Sequence, residues 1–161
     1  MKKRWNIGWG TVSACNMNCR FCYSRFRRKD SRDLGLEDWI AFVDRNADYI
    51  HTINSGTGEN SLSEDWFTLI SHVRRRYPRI RQALTTNGYV SEAMRRDPEK
   101  EAIVKEAIDE MDISLDFADA EKHNAFRGQP HAYQWAMDTL AFCRDHHKQA
   151  TIVCLGSGVN A

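Results

Sequence analysis

The chain has 161 residues, 42% of them hydrophobic and 28% charged, which suits one globular domain and excludes a fibrous, low-complexity or largely disordered protein. Lys plus Arg number 23 and Asp plus Glu 22, a net charge of +1 that argues against a dedicated nucleic-acid binder. A complete eight-unit (β/α) barrel takes about 250 residues, so a full barrel is excluded as well.

In chain order, short apolar runs alternate with helix-period segments. Trp5 to Val12 reads as a first strand, and Leu36 to Asn46 as a helix with Leu36, Trp39, Ile40 and Val43 on one face. Tyr49 to Asn54 is a second strand. Ser63 opens a helix as its N-cap, with Glu64 and Asp65 in the first turn and Phe67, Ile70 and Val73 as its apolar stripe. Ile80 to Leu84 is a third strand. Ser91 to Ala107 is helical in part, interrupted at Pro98. Met111 to Asp116 is a fourth strand, His131 to His146 a helix, and Ala150 to Leu155 a fifth strand. The rhythm predicts a single α/β domain over 1–161: a partial, open (β/α) barrel of about five to six parallel strands with helices outside.

No apolar run approaches the roughly 20 residues of a membrane span. The start, MKKRWNIGWG, has a positive head but no apolar signal-peptide core, so a cytoplasmic location is expected. Clustered cysteines there read as metal ligands rather than disulfides. Residues 1–33 hold nine Lys/Arg against two Asp/Glu, and this basic segment surrounds Cys15, Cys19 and Cys22. The run Arg25-Phe26-Arg27-Arg28-Lys29 reads either as a solvated loop or as a steering surface for an anionic substrate or an acidic electron donor. An RNA substrate is a weaker reading of the same arm. Cys143, inside a helix, and Cys154, inside a strand, read as core residues. The five tryptophans read as core or sheet-covering residues.

Chemistry in parallel sheets gathers at the carboxyl ends of the strands. After strand one comes Cys15-Asn16-Met17-Asn18-Cys19-Arg20-Phe21-Cys22-Tyr23. After strand two comes Ser55-Gly56-Thr57-Gly58-Glu59-Asn60, and after strand three Thr86-Asn87-Gly88. Strand four carries Ser114 and Asp116 and leads into His123-Asn124-Ala125-Phe126-Arg127-Gly128. Three thiolates spaced C-x3-C-x2-C lack the second pair of a structural zinc site. On a cubane cluster they would leave one iron open to a chelating small molecule. A zinc completed by His123 remains the alternative.

The cysteine loop, with Phe21 before its last cysteine, resembles the signature of the radical S-adenosylmethionine (radical SAM) superfamily. Thr57-Gly58-Glu59-Asn60 looks like the family's Gly-Gly-Glu-Pro segment. Thr86-Asn87-Gly88 matches its Thr-Asn-Gly, and Ser114-Leu115-Asp116 with the downstream His123 to Gly128 resembles its Ser-x-Asp and His-Asp-x-x-Arg-Gly. The family core is a partial six-unit (β/α) barrel, of which five strands are legible, so the last β/α unit is expected to be missing from this chain.

The resemblance implies a [4Fe–4S] cluster held by Cys15, Cys19 and Cys22. Its open iron would chelate S-adenosylmethionine (SAM), which is cleaved reductively to a 5′-deoxyadenosyl radical that takes hydrogen from a substrate. It places Phe21 near the adenine, Gly58 and Glu59 at the methionyl ammonium, Ser114 on the ribose and Arg127 on the carboxylate. Asn87 would tie the barrel mouth or touch the ligand, and Tyr23 would lie near cluster or substrate. The substrate is an unidentified peptide or small biosynthetic intermediate, and the electron donor a flavodoxin or ferredoxin. The open sheet edge implies possible self-association. The alternative is a non-catalytic iron–sulfur or zinc module. Thr57, Asn60, Asn124 and Phe117 depart from the family pattern, and Thr57 adds a Cβ where close backbone approach is expected.

Overall fold

A computed structural model describes residues 4–26, 28 and 32–156. Five strands form one sheet in the order β1-β2-β3-β4-β5: β1 Trp5–Trp9, β2 Ile50–Ser55, β3 Arg81–Thr86, β4 Glu110–Ser114 and β5 Gln149–Val153. Every neighbouring pair is parallel. Six helices fill the crossovers: α1 Leu36–Asn46, α2 Glu64–Arg76, α3 Tyr89–Arg96, α4 Pro98–Ala107, α5 Ala120–Arg127 and α6 Ala132–Asp145. The open parallel barrel expected from the sequence is the fold found.

Side-chain alternation explains the layering. Ile7 and Trp9 of β1, Ile53 of β2, Leu84 of β3 and Met111 and Ile113 of β4 face the helices and enter two buried clusters. Trp66 of α2 is fully buried in the cluster with Leu84, Met111 and Ile113, a burial that contributes about 3 kcal/mol. Its indole N–H and that of Trp9 both donate to Ser55 Oγ, at 3.1 and 3.2 Å, tying β1, β2 and α2 together. The opposite face of the sheet is polar. Asn54 Nδ2 donates to Asp112 Oδ2 at 3.3 Å, and Thr85 Oγ1 lies 3.0 Å from Asn54 Oδ1.

Local signals fix the helix ends. α2 carries Glu64 and Asp65 in its first turn and three arginines in its last, matched to the helix dipole. Ser63 is its N-cap residue, but its side chain makes no capping bond. Pro98 does not merely interrupt a helix. It starts α4 at the first helical position, where its missing N–H costs nothing, and Asp97 caps Glu99 N at 2.9 Å. Gly88 precedes α3 at φ +96°, and a Cβ there would come within 2.6 Å of the α6 backbone, so only glycine lets the two helices approach. Helix α5 was not expected. The His123 to Gly128 motif lies on a helix capped by Asp119, which accepts from Lys122 N at 2.8 Å, and ended by Gly128 at φ +65°.

Three sequence readings are corrected. The first strand ends at Trp9, because Gly10 turns against Gly56, whose carbonyl would meet a Cβ at 2.6 Å. Cys143 is buried in α6 as expected, but Cys154 lies just past β5 and is exposed. Trp5 is exposed and stacks on Tyr49, at 5.4 Å between ring centroids, rather than entering the core.

Candidate functional site

A cavity of about 320 Å³ opens at the carboxyl ends of the strands. Cys15, Cys19 and Cys22 line it together with Phe21, Gly58, Asn87, Ser114 and Arg127. Eight of the nine residues expected to hold cluster or SAM therefore share one wall; the ninth, Glu59, stands behind it. Val153, Cys154 and Leu155 complete the lining beyond β5. Sequence reading had taken Cys154 for core, and only its position at a strand's carboxyl end signalled the site. A second cavity of about 330 Å³ adjoins the first and shares Tyr23, Thr57 and Thr85 with it, while Gly8 and Asn54 line its far side.

The cysteine loop is held from within. Met17 and Cys19 are buried against Ala132 of α6, and Cys22 N donates to Cys19 O at 3.2 Å. Phe21 stacks on Phe126 of α5 at 4.5 Å, and the Arg127 guanidinium lies 5.1 Å from the Phe21 ring. Each sulfur has a polar neighbour. Asn87 Nδ2 lies 3.6 Å from Cys15 Sγ. Arg28 Nη2 donates to Cys22 Sγ at 3.0 Å, with Ser24 Oγ 3.2 Å away. Cys19 Sγ donates to Arg127 O at 3.6 Å. Burial pushes the Cys15 and Cys19 thiols up, against weaker opposition from the Met17 backbone at Cys15 and from Arg127 at Cys19. Burial acts on Cys22 too, but the hydrogen bonds of Ser24 and the Arg28 cation together outweigh it and lower the thiol.

Arg127 Nε donates to Asp116 Oδ2 at 2.5 Å, and that carboxylate is buried. Asp116 Oδ1 also accepts Leu155 N at 2.9 Å, so this one carboxylate joins the ends of β4, α5 and β5. His123 is buried, and its Nδ1 accepts Asp116 N at 3.1 Å. Burial first, then Arg127, pushes its pKa down and keeps the ring neutral. His123 does not line the cysteine cavity and is a core histidine.

Glu59 is fully buried and holds the barrel mouth together. Its Oε1 accepts Ser61 Oγ at 2.6 Å, Thr86 Oγ1 lies 3.0 Å from both oxygens, and Oε2 accepts Asn87 N at 2.9 Å. Asn60, where the family pattern has proline, is buried and accepts from Thr11 N and Oγ1 at 3.1 and 2.7 Å. Thr57 and Gly58 both have positive φ, +68° and +70°. A β-branched residue there is strained, and its hydroxyl lies 3.1 Å from the Tyr23 hydroxyl. At Gly58 a Cβ would stand 2.2 Å from Val12 O, which is the close approach that requires glycine.

The residues present suit an iron–sulfur cluster. Three sulfur ligands share one cavity, cationic and amide donors face them, and the buried Asn16 Nδ2 next to Cys15 has no hydrogen-bond partner among the described residues. Also among the described residues, no three His, Cys, Asp or Glu side chains are grouped about a single metal ion. A cubane spreads its thiolates over separate irons and does not ask for that grouping. Arg27 and Lys29 of the basic run lie outside the described residues. No described helix is long and apolar enough to cross a membrane.

The family model described as the Radical SAM superfamily matches residues 10–161, and the chain belongs to that superfamily. The cofactors of the superfamily are a [4Fe–4S] cluster and SAM. The chain is 29% identical over 126 residues to mycofactocin maturase MftC of Mycolicibacterium smegmatis, covering 76% of this chain and 30% of that protein. It is 25% identical over 142 residues to the AdoMet-dependent heme synthase of Nitratidesulfovibrio vulgaris, covering 86% and 37%. It therefore spans about a third of the length of these curated relatives. Among solved structures, Streptococcus suis SuiB bound to the precursor peptide SuiA matches with a TM-score of 0.75 at 17% identity, over 99% of this chain and 35% of that one. The structure of anSMEcpe with bound AdoMet and the Cp18Cys peptide matches at 0.69 and 19% identity, over 91% and 41%.

Proposed function

We propose that this chain is the SAM-cleaving core of a radical SAM enzyme acting on a peptide. The observation that carries the reading is the shared cavity: three cysteines with C-x3-C-x2-C spacing face Gly58, Ser114 and Arg127 across one mouth. Cys15, Cys19 and Cys22 would hold the cluster, which supplies the electron that splits SAM into methionine and a 5′-deoxyadenosyl radical. Phe21, stacked on Phe126, offers an aromatic wall for the adenine. Ser114, at the end of β4 and lining the cavity, would bond a ribose hydroxyl. Arg127, oriented through Nε by buried Asp116, would hold a carboxylate. Asn87 lines the wall beside Cys15. Glu59 would act on the SAM ammonium by fixing Asn87 and Gly58 rather than by direct contact.

The adjoining cavity around Gly8, Asn54 and Thr85 is where a substrate would meet the radical. A peptide is favoured by the SuiB and anSMEcpe matches, both crystallised with peptides. A small biosynthetic intermediate is the second choice. Flavodoxin or ferredoxin would deliver the electron, and the exposed β5 strand is a surface for self-association.

The test is anaerobic reconstitution with iron and sulfide, then dithionite and SAM, with 5′-deoxyadenosine measured by mass spectrometry. Formation by the wild type and not by Cys19→Ala supports the reading. A cluster without deoxyadenosine supports a non-catalytic module instead, and zinc in place of iron refutes the reading.

A further inference from the structure

Arg28, in the basic run after the cysteines, is half-buried. Arg28 turns its guanidinium into the cysteine loop. Nη2 donates to Cys22 Sγ at 3.0 Å and Nη1 to Met17 O at 2.9 Å. Met17 is itself buried beside Cys19, so the planar fork is anchored at one prong while the other meets the sulfur. Lysine, a flexible point charge, cannot hold both acceptors in this way. Ser24 Oγ lies 3.2 Å from the same sulfur.

We propose that Arg28 is a positioning residue that tunes the cluster through Cys22, raising its reduction potential. This rests on the cluster reading above. Adding an electron to a cluster makes its sulfurs more electron-rich and its net charge more negative. A fixed cation donating an N–H to one ligand sulfur therefore stabilises the reduced form more than the oxidised form. Arg28 would thus make the electron easier to accept from a biological donor.

The experiment is a redox titration of the reconstituted full chain, followed by electron paramagnetic resonance, for wild type, Arg28→Gln, Arg28→Lys and Arg75→Ala. Arg75 is exposed on α2 and controls for the loss of one positive charge. Iron content and thermal melting are recorded for each. The expected result is a lower midpoint potential in Arg28→Gln, an intermediate one in Arg28→Lys and the wild-type value in Arg75→Ala, with an altered signal shape only at position 28. Equal potentials in all four proteins would overturn the proposal. So would Arg28 variants that melt like wild type but retain no iron, which would make Arg28 an assembly residue. A wild type that assembles no cluster would instead overturn the reading beneath it.

Discussion

Replacing Glu59 separates a strut from a ligand contact. In Glu59→Ala, the hydroxyls of Ser61 and Thr86 can turn to other acceptors, but the Asn87 N–H cannot. It becomes a buried orphan costing about 1–3 kcal/mol, and the vacated carboxyl site adds a cavity. Together these come to about 3–5 kcal/mol, or a fall of about 6–20 °C in melting temperature for a chain of this size. In Glu59→Gln, the amide oxygen can still accept Asn87 N while its NH₂ turns toward Ser61, whose oxygen can accept. The exchange of donors and acceptors in this network costs about 1–2 kcal/mol, a fall of about 2–8 °C. Burial pushes the Glu59 carboxyl above the usual range, against the opposing bonds from Ser61, Asn87 and Thr86. Its folded pKa exceeds the unfolded one, so its stabilising contribution is complete below the ordinary glutamate value and lost as pH rises through the raised one. The gap between wild type and Glu59→Gln should therefore narrow with rising pH. Differential scanning calorimetry at several pH values measures both effects. Melting temperatures for both variants within about 1 °C of wild type would refute the strut, since a shift that small is well under 1 kcal/mol.

Three further outcomes follow from the same geometry. Gly58→Ala should lower stability by at least about 1–2 kcal/mol from the left-handed backbone alone, with more from the Val12 O contact at 2.2 Å, and abolish SAM binding measured by calorimetry. Asp116→Ala leaves the Arg127 cation unpaired and should cost about 3–5 kcal/mol in chemical denaturation; a loss below about 1 kcal/mol would show that the pair is solvent-screened. In metal-free protein near neutral pH, iodoacetamide should alkylate Cys22 before Cys15 and Cys19, because its thiol is lowered while burial raises theirs. Peptide mapping by mass spectrometry reads the order, and Cys15 labelling first would contradict it.

The periodic elements were legible because their apolar positions face a buried layer. Leu36–Asn46 runs where its stripe of Leu36, Trp39, Ile40 and Val43 predicts, and every strand falls within a few residues of its apolar run. Helix α5 was not legible as a helix, because its packed positions are His123 and a single Phe126 rather than an apolar stripe. Its signals were local: Asp119 as cap and Gly128 as terminator. The cysteine loop and the glycine turns were readable as motifs, since each carries its chemistry within a few residues. The partners that hold them were not. Glu59 meets Thr86 and Asn87 from 27 and 28 residues away, and Arg127 meets Asp116 across α5. Such pairings follow from the closure of the sheet, not from spacing. Arg28 is the sharpest case. Its neighbours suggested a solvated or steering surface, and only the turn after Cys22 shows that its fork points inward.

SAM binding at an iron left open by Cys15, Cys19 and Cys22 is read most directly from the electron paramagnetic resonance spectrum of the dithionite-reduced, reconstituted chain with and without SAM. The expected result is a reduced [4Fe–4S] signal whose g values shift when SAM is added, and no such signal in Cys15→Ala, Cys19→Ala or Cys22→Ala. A cluster signal that SAM leaves unchanged would contradict it.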